Sequence, residues 1–438
     1  MSIPLDRLYH YVKSIAQDVR KDNVLIYRFF PHGSKKLEDL ILTDTCTIDE
    51  DALLPHVICH DQEPLDYGFY EINTPIPEFK LLKLPEGLRR ICREINFEKY
   101  NLRNYPYNIY DHAILIHSER RSLNVDKYSQ NNFIPVYYWS HAIIALDWFR
   151  YAEYIKQKKS VTKIFLVYNR AWSGTREYRL GFADRLIMLG LVHATIMRVS
   201  PVDSTIDNHY DLHEFKHPHW RPHNVIEKHF PLCKADSHYS ADFDQEDYES
   251  TEIEVVLETL FDDDRLHLTE KTLRPIAMGQ PFILAGTYGS LEYLRDYGFK
   301  TFSDCWDESY DMMSDGIERM NKIIEVMSDI VSMPTSKREE MLVKARSIAD
   351  YNKQHFFSDK FQTQISKELR DNLTVGLACI DKLNTGQGFL NRRKKMLANA
   401  EYRKYSILNK KNDSKQRKGW AALLKQARKY KLRTLPPT

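Results

Sequence analysis

Short apolar runs recur along the chain, and a stretch of helical spacing follows most of them. DNVLIYRFF (Asp22–Phe30), HVICHDQEP (His56–Pro64), HAILIHSE (His112–Glu119) and NFIPVYYWS (Asn132–Ser140) read as strands, with helical stretches at Glu86–Glu94 and His141–Lys156. The lysine-rich turn Lys156–Thr162 looks like a boundary, and the same pattern restarts after it. KIFLVYN (Lys163–Asn169), HATIMRVS (His193–Ser200), EIEVVLET (Glu252–Thr259) and PFILAG (Pro281–Gly286) are the next strands. Between them, Leu180, Ala183, Ile187 and Leu191 recur at helical spacing, and Thr269–Met278 and SLEYLRDYG (Ser290–Gly298) read as helices. Strands alternating with helices predict α/β architecture with mostly parallel, doubly wound sheets. Met312–Met333, Ser336–Asn352 and Phe357–Leu383 read as late helices that brace the rest, while Pro201–Asp247, rich in His, Pro and Asp, reads as a long loop or insertion.

A chain of 438 residues suits two domains and an extension, since one domain takes about 100–200 residues. The opening MSIPLDRLYHYVKSIAQDVRKD lacks the long apolar core and small-residue cleavage site of a signal peptide. No apolar run of about 18 residues implies a membrane span. Cys46, Cys59, Cys92, Cys233, Cys305 and Cys379 are scattered without a CxxC pair, which suits a reducing cytoplasm and argues against a disulfide framework. The net charge of +2 conceals a division. Residues 391–438 hold 16 of the 63 basic residues and only two acids, Glu401 and Asp413. An acidic body with a basic end is a pattern for binding a polyanion.

The segment with most chemistry is EVVLETLFDDDRLHLTEKTLRPIAMGQPFILAG, Glu254 to Gly286. Thr269 is placed to cap a helix whose start favours negative charge, and Lys271 adds a cation for a diphosphate. Glu258 and Glu270 can accept hydrogen bonds from ribose or sugar hydroxyls. Glu258, Leu268-Thr269-Glu270-Lys271 and Gly279-Gln280-Pro281-Phe282-Ile283, in that order, resemble the donor-binding motif of α1,3-fucosyltransferases over about thirty residues. The resemblance implies an inverting glycosyltransferase of the two-Rossmann-domain (GT-B) type, with a cleft between the domains and no metal at the donor site. It implies an acceptor-side domain over 1–158, a nucleotide-sugar domain over 159–335, bracing helices over 336–388 and a basic helical tail over 389–438. The nucleotide sugar is then a substrate rather than a cofactor, with a UDP-sugar favoured over a GDP-sugar.

Two further segments fit that scheme. YNRAWSGTREYR (Tyr168–Arg179) ends a strand in a Gly-containing loop carrying Arg170, Arg176 and Arg179. Guanidinium forks suit phosphate oxygens, and Arg176 and Arg179 share a helix face. HDQEP (His60–Pro64) resembles the family's E-x-P loop, which makes Glu63 the candidate base for the acceptor hydroxyl and Asp61 its rival. Asp262-Asp263-Asp264 contains a D-x-D but reads as a solvated turn beside Arg265. His209, His213, His217, His219 and His223 match no known zinc spacing, so no metal ligand is assigned. WDESYD (Trp306–Asp311) could cap the donor pocket. Neither GxxxxGK[ST] nor GxGxxG occurs, which disfavours an NTPase or a dehydrogenase.

In the tail, Arg392, Arg393, Lys394, Lys395, Arg403, Lys404, Lys410 and Lys411 are interleaved with aromatics that include Trp420. Phosphate contacts with stacking make nucleic acid the expected partner there. Membrane-surface docking is the competing reading. HDQEPLDYGFY, TEKTLRPIAMGQPFI, the many tyrosines and the basic tail together look similar to phage-type glycosyltransferases. That resemblance implies transfer of a glucosyl or arabinosyl group to 5-hydroxymethylcytosine in double-stranded DNA, in the host cytoplasm. A membrane-associated polysaccharide glycosyltransferase and a non-enzymatic nucleic-acid-binding protein on a transferase fold stay as alternatives.

Overall fold

The computed structural model describes residues 11–12, 14–16, 18–19, 25–30, 40–43, 56–61, 65, 114–130, 134–203, 206–229 and 243–385. They fall into two units. One lies within Tyr9–His117, Leu123–Tyr138 and the chain from Glu368 onward; the other comprises Ser118–Ser122 and Trp139–Lys367. We call them the N-terminal and central units.

The N-terminal unit holds a five-stranded sheet of β1 (Leu25–Phe30), β2 (Leu40–Thr43), β3 (His56–Asp61), β4 (Ile114–His117) and β5 (Ile134–Tyr137), in the order β2-β1-β3-β4-β5. All neighbours are parallel except the edge strand β2. Helix α1 (Leu123–Gln130) precedes β5. Four of these strands match the apolar runs of the sequence. Strand β2 falls in a stretch, Leu40–Thr43, where the sequence reading places no strand. The helix expected at Glu86–Glu94 lies outside the described residues.

The central unit opens with α2 (Ser140–Trp148). Its sheet contains β6 (Phe165–Asn169) and β7 (Thr195–Val199), joined by α3 (Tyr178–Met188). The expected irregular stretch follows, as the two-stranded ladder of β8 (Val202–Asp203) and β9 (Asn208–His209), several 3-10 turns and α4 (Gln245–Glu249). Then come β10 (Ile253–Leu257), α5 (Glu270–Met278), β11 (Phe282–Ala285), α6 (Ser290–Asp296), α7 (Gly316–Ser332), α8 (Thr335–Phe356) and α9 (Asp359–Thr385). The strand order is β11-β10-β6-β7, and every neighbour is parallel. The chain leaves β6 toward β7 on one side and leaves β10 toward β11 on the other. The crevice outside the carboxyl ends of β6 and β10 is therefore a topological switch point, where doubly wound sheets bind ligands.

Helix α5 has all nine residues buried. Gly279 ends it at φ +69, a left-handed cap that glycine adopts without a Cβ penalty. Inside, Arg274 donates to Glu254 of β10 at 2.5 Å, and Tyr248 donates its hydroxyl to the same carboxylate. A buried charge needs such pairing, because desolvation of either ion alone is costly. Trp139 fixes the approach to this helix. Its ring packs among Tyr293, Tyr297, Phe299 and Phe361, and its Nε1 donates to the Leu268 carbonyl at 2.9 Å.

Helix α9, the last among the described residues, contributes its residues from Glu368 onward to the N-terminal unit. Within the N-terminal unit, Asn372 donates to the Tyr137 carbonyl at 2.8 Å. A side-chain carbon at Gly376 would lie 2.7 Å from a Val136 methyl, so glycine is what lets the helix approach β5. Among the described residues no helix is long and apolar enough to cross a membrane.

Candidate functional site

Two loops converge at the switch point of the central unit. The loop after β6 is built on Asp203, a fully buried carboxylate that accepts from the amides of Trp172 at 2.8 Å and Ser173 at 2.6 Å. Trp172 is buried and donates its Nε1 to the Ser200 carbonyl at 3.1 Å. From this frame Thr175 donates to the Thr259 carbonyl at 2.9 Å, tying the β6 loop to the β10 loop. Tyr178 donates to the Glu258 carbonyl at 2.6 Å. Arg179 donates to the carbonyls of Ala171, Leu257 and Glu258 at 2.6, 2.8 and 2.9 Å. Its guanidinium thus gathers the carbonyl dipoles where the two strands end, and burial pushes its pKa down.

Glu258 organises the next layer. Its Oε1 accepts from the amides of Thr269 at 2.9 Å and Thr272 at 3.3 Å, and from the Thr272 hydroxyl at 2.5 Å. Its Oε2 accepts from the Thr269 hydroxyl at 2.7 Å and the Thr259 amide at 3.0 Å. The carboxylate caps α5 from outside the helix and meets its positive end with negative charge. The start of α5, expected to receive a ligand anion, is thus already occupied by Glu258.

Beyond Thr269 the polar cluster runs through charged side chains. Lys271 Nζ donates to Glu270 Oε1 at 2.8 Å, Thr269 Oγ1 at 3.2 Å and Thr259 Oγ1 at 3.4 Å. Burial pushes this ammonium down, against the pull of Glu270. Glu270 Oε2 lies 3.2 Å from His141 Nδ1, and both side chains are wholly buried. The His141 ring meets His267 edge-on at 4.9 Å, and His267 Nδ1 is 3.2 Å from the Ser118 hydroxyl. Sequence reasoning missed His141 and His267. His267 stands two residues before Thr269, the only local signal; His141 is remote in sequence and joins through the fold.

The expected donor residues therefore separate. Arg179, Glu258, Thr269 and Glu270 are interior residues whose hydrogen bonds go to the protein. Arg170 and Arg176 are half-buried at the same loop, and Lys271 retains 11% exposure of its side chain. Asn169, the last residue of β6, is 1% exposed, and neither atom of its side-chain amide has a hydrogen-bond partner among the described residues. Beside α6, a cavity of about 350 Å³ is lined by Arg295, Trp306, Glu308 and Asp311 among others, and burial raises the pKa of both acids. This is the WDESYD segment.

In the N-terminal unit, Asp61 closes β3 at the carboxyl end of the parallel ladder, opposite Phe30. Glu63 lies outside the described residues. So do all the tail residues named for nucleic acid, Arg392, Arg393, Lys394, Lys395, Arg403, Lys404, Lys410, Lys411 and Trp420. Asp263 pairs with Arg265 at 2.6 Å. The histidines disperse: His209 lies 3.1 Å from Glu227 and His213 lies 2.8 Å from Glu177. His217 and His219 instead meet Asp262, with their ligating atoms all within 4.8 Å of one another. Segment by segment, neither the histidines nor the D-x-D indicates a metal; the fold joins the two. Compared with known proteins, the chain matches no family model, no curated protein and no solved structure.

Proposed function

We propose that the chain is a nucleotide-sugar-dependent glycosyltransferase of the two-domain (GT-B) type. The observation that supports it is the meeting of residues 169–179 and 258–271 at the switch point of an all-parallel sheet. In this reading the buried residues Glu258, Thr269, Glu270 and Arg179 hold the frame. Lys271, Arg170 and Arg176 present positive charge to the donor diphosphate and stabilise it as it leaves. The Asn169 amide supplies a donor and an acceptor for the nucleotide. Asp61, the last residue of β3, or Glu63, two positions later in the sequence, takes the acceptor proton in a single displacement. The acceptor proposed is 5-hydroxymethylcytosine in double-stranded DNA, and the support for it is the basic, aromatic-interleaved tail.

Incubating the full chain with hydroxymethylated DNA and a panel of UDP- and GDP-sugars should add one sugar mass to the modified nucleoside by mass spectrometry. Consumption of a nucleotide sugar without that product would move the acceptor to a glycan. No consumption under any condition would sink the transferase reading. Lys271→Ala, in a variant shown to be folded by its melting curve, should weaken nucleotide diphosphate binding roughly 10- to 100-fold, as for loss of one charge-assisted contact. Unchanged affinity by calorimetry removes Lys271 from the site. Truncation after Gly388 should weaken DNA binding and flatten its salt dependence, because fewer counterions are released. The same salt slope in a stable truncated protein excludes the tail as the polyanion site.

A further inference from the structure

The meeting of His217, His219 and Asp262 is not used by the proposed transfer. The two histidines stand on a short segment that the fold holds by independent contacts. Glu177, a buried carboxylate, accepts from His213 Nε2 at 2.8 Å and from the amides of Lys216 at 3.0 Å and His217 at 3.1 Å. Just past the second histidine, Trp220 is 1% exposed and sits against Gly181, where a side-chain carbon would lie 2.8 Å from the indole. The segment is therefore pinned on both sides of the His-Pro-His turn.

Asp262 is held as firmly from the other side. It follows Phe261, which is buried and stacks on Tyr178 at 4.3 Å. Its Oδ2 accepts from Trp220 Nε1 at 3.3 Å. A side-chain carbon at Gly316 would lie 2.6 Å from its Oδ1, so the glycine leaves room for the carboxylate as it stands. The carboxylate thus has an outer partner that orients it, as metal-ligating carboxylates commonly do.

His219 Nε2 lies 3.7 Å from Asp262 Oδ2, too long for a hydrogen bond. Two ligands on one tetrahedral zinc ion stand roughly 3.3 Å apart, given bonds of about 2.0–2.1 Å. The His219–Asp262 separation is close to that, and the ligating atoms of all three residues lie within 4.8 Å of one another. Two imidazoles and one carboxylate favour zinc, cobalt or nickel over magnesium or calcium, which take oxygen ligands. All three residues are exposed, so an ion held here keeps positions open to water.

We propose that His217, His219 and Asp262 bind a divalent ion of the zinc class, which clamps the 213–220 segment to the loop after β10. The inference does not depend on the transferase reading, since its test measures binding rather than turnover. The full chain, stripped with EDTA, is titrated with Co²⁺, whose visible ligand-field absorption reports a protein-bound, low-coordinate ion. One equivalent should develop the band, and Zn²⁺ should displace it. His217→Ala/His219→Ala should abolish the band, Asp262→Asn should weaken binding, and His229→Ala, an exposed histidine elsewhere, should leave it unchanged. Zn²⁺ should also raise the unfolding temperature of the natural protein and not that of the double variant. The ligands are exposed, so the metal-free variants should melt as the metal-free natural protein does. Absence of the band in the natural protein, or its persistence in the double variant, overturns the site.

Discussion

Glu258→Ala should lower the stability of the central unit by at least about 3–5 kcal/mol, the loss that follows when one partner of a buried charged network is removed. For a unit of this size that is a fall in melting temperature of roughly 6–20 °C. Five donors from Thr259, Thr269 and Thr272 converge on this carboxylate, and it is wholly buried. Alanine leaves them in a cavity without acceptors, and an unsatisfied buried donor costs more than the net value of the bond it made. Glu258→Gln keeps the shape and one acceptor oxygen, but turns an amide N–H₂ toward groups that also donate. It should fall between the two. Calorimetric unfolding checks the order, and a Glu258→Ala protein that melts with the natural one would mean the carboxylate does not hold the start of α5.

Glu63→Gln should lower turnover by about 10²–10⁴ while leaving donor affinity nearly unchanged, as for loss of a general base. The expectation belongs to the proposed transfer reaction, in which the acceptor hydroxyl must lose its proton as the sugar moves. Asp61→Asn is the paired variant. Asp61 closes β3 at the carboxyl end of the ladder, and Glu63 stands two residues further on. Steady-state kinetics with donor binding measured separately distinguishes a base from a binding residue. If Glu63→Gln is unaffected and Asp61→Asn falls, the assignment passes to Asp61. Normal turnover in both variants places the base elsewhere, or makes the reaction a retaining one.

The cavity lined by Glu308 and Asp311 bears on neither result, since both acids are tied into the backbone. Asp311 accepts from the Leu291 amide at the start of α6, and Glu308 accepts from the Phe302 amide at 2.7 Å. Their raised pKa values follow from burial, and Asp311 meets the first turn of α6 as a cap.

Local order in the sequence was enough to determine most of the strands and the longer helices, though not β2 or α1. Runs such as FLVYN and FILA can be little else than buried strands, and Thr269 and Gly279 mark the ends of α5 by capping chemistry that acts within a few residues. Alternation of such strands with helices determined the parallel sheets, because parallel neighbours require crossovers. What only the tertiary structure decided is which polar residues face one another. His141 reaches Glu270 across 129 positions of sequence, and His219 reaches Asp262 across 43. Nothing in the spacing of either pair encodes the contact, which arises from strand order and loop packing. Burial was equally illegible: Glu258 and Lys271 are both charged residues in a polar stretch, and both look available to a ligand. The fold closes five donors around Glu258 and turns the Lys271 ammonium onto Glu270, Thr269 and Thr259, with 11% of its side chain exposed. A carboxylate beside a helix start is drawn into the cap by the unsatisfied amides there, and a lysine beside it is drawn onto the neighbouring carboxylate and hydroxyls because its buried charge needs partners.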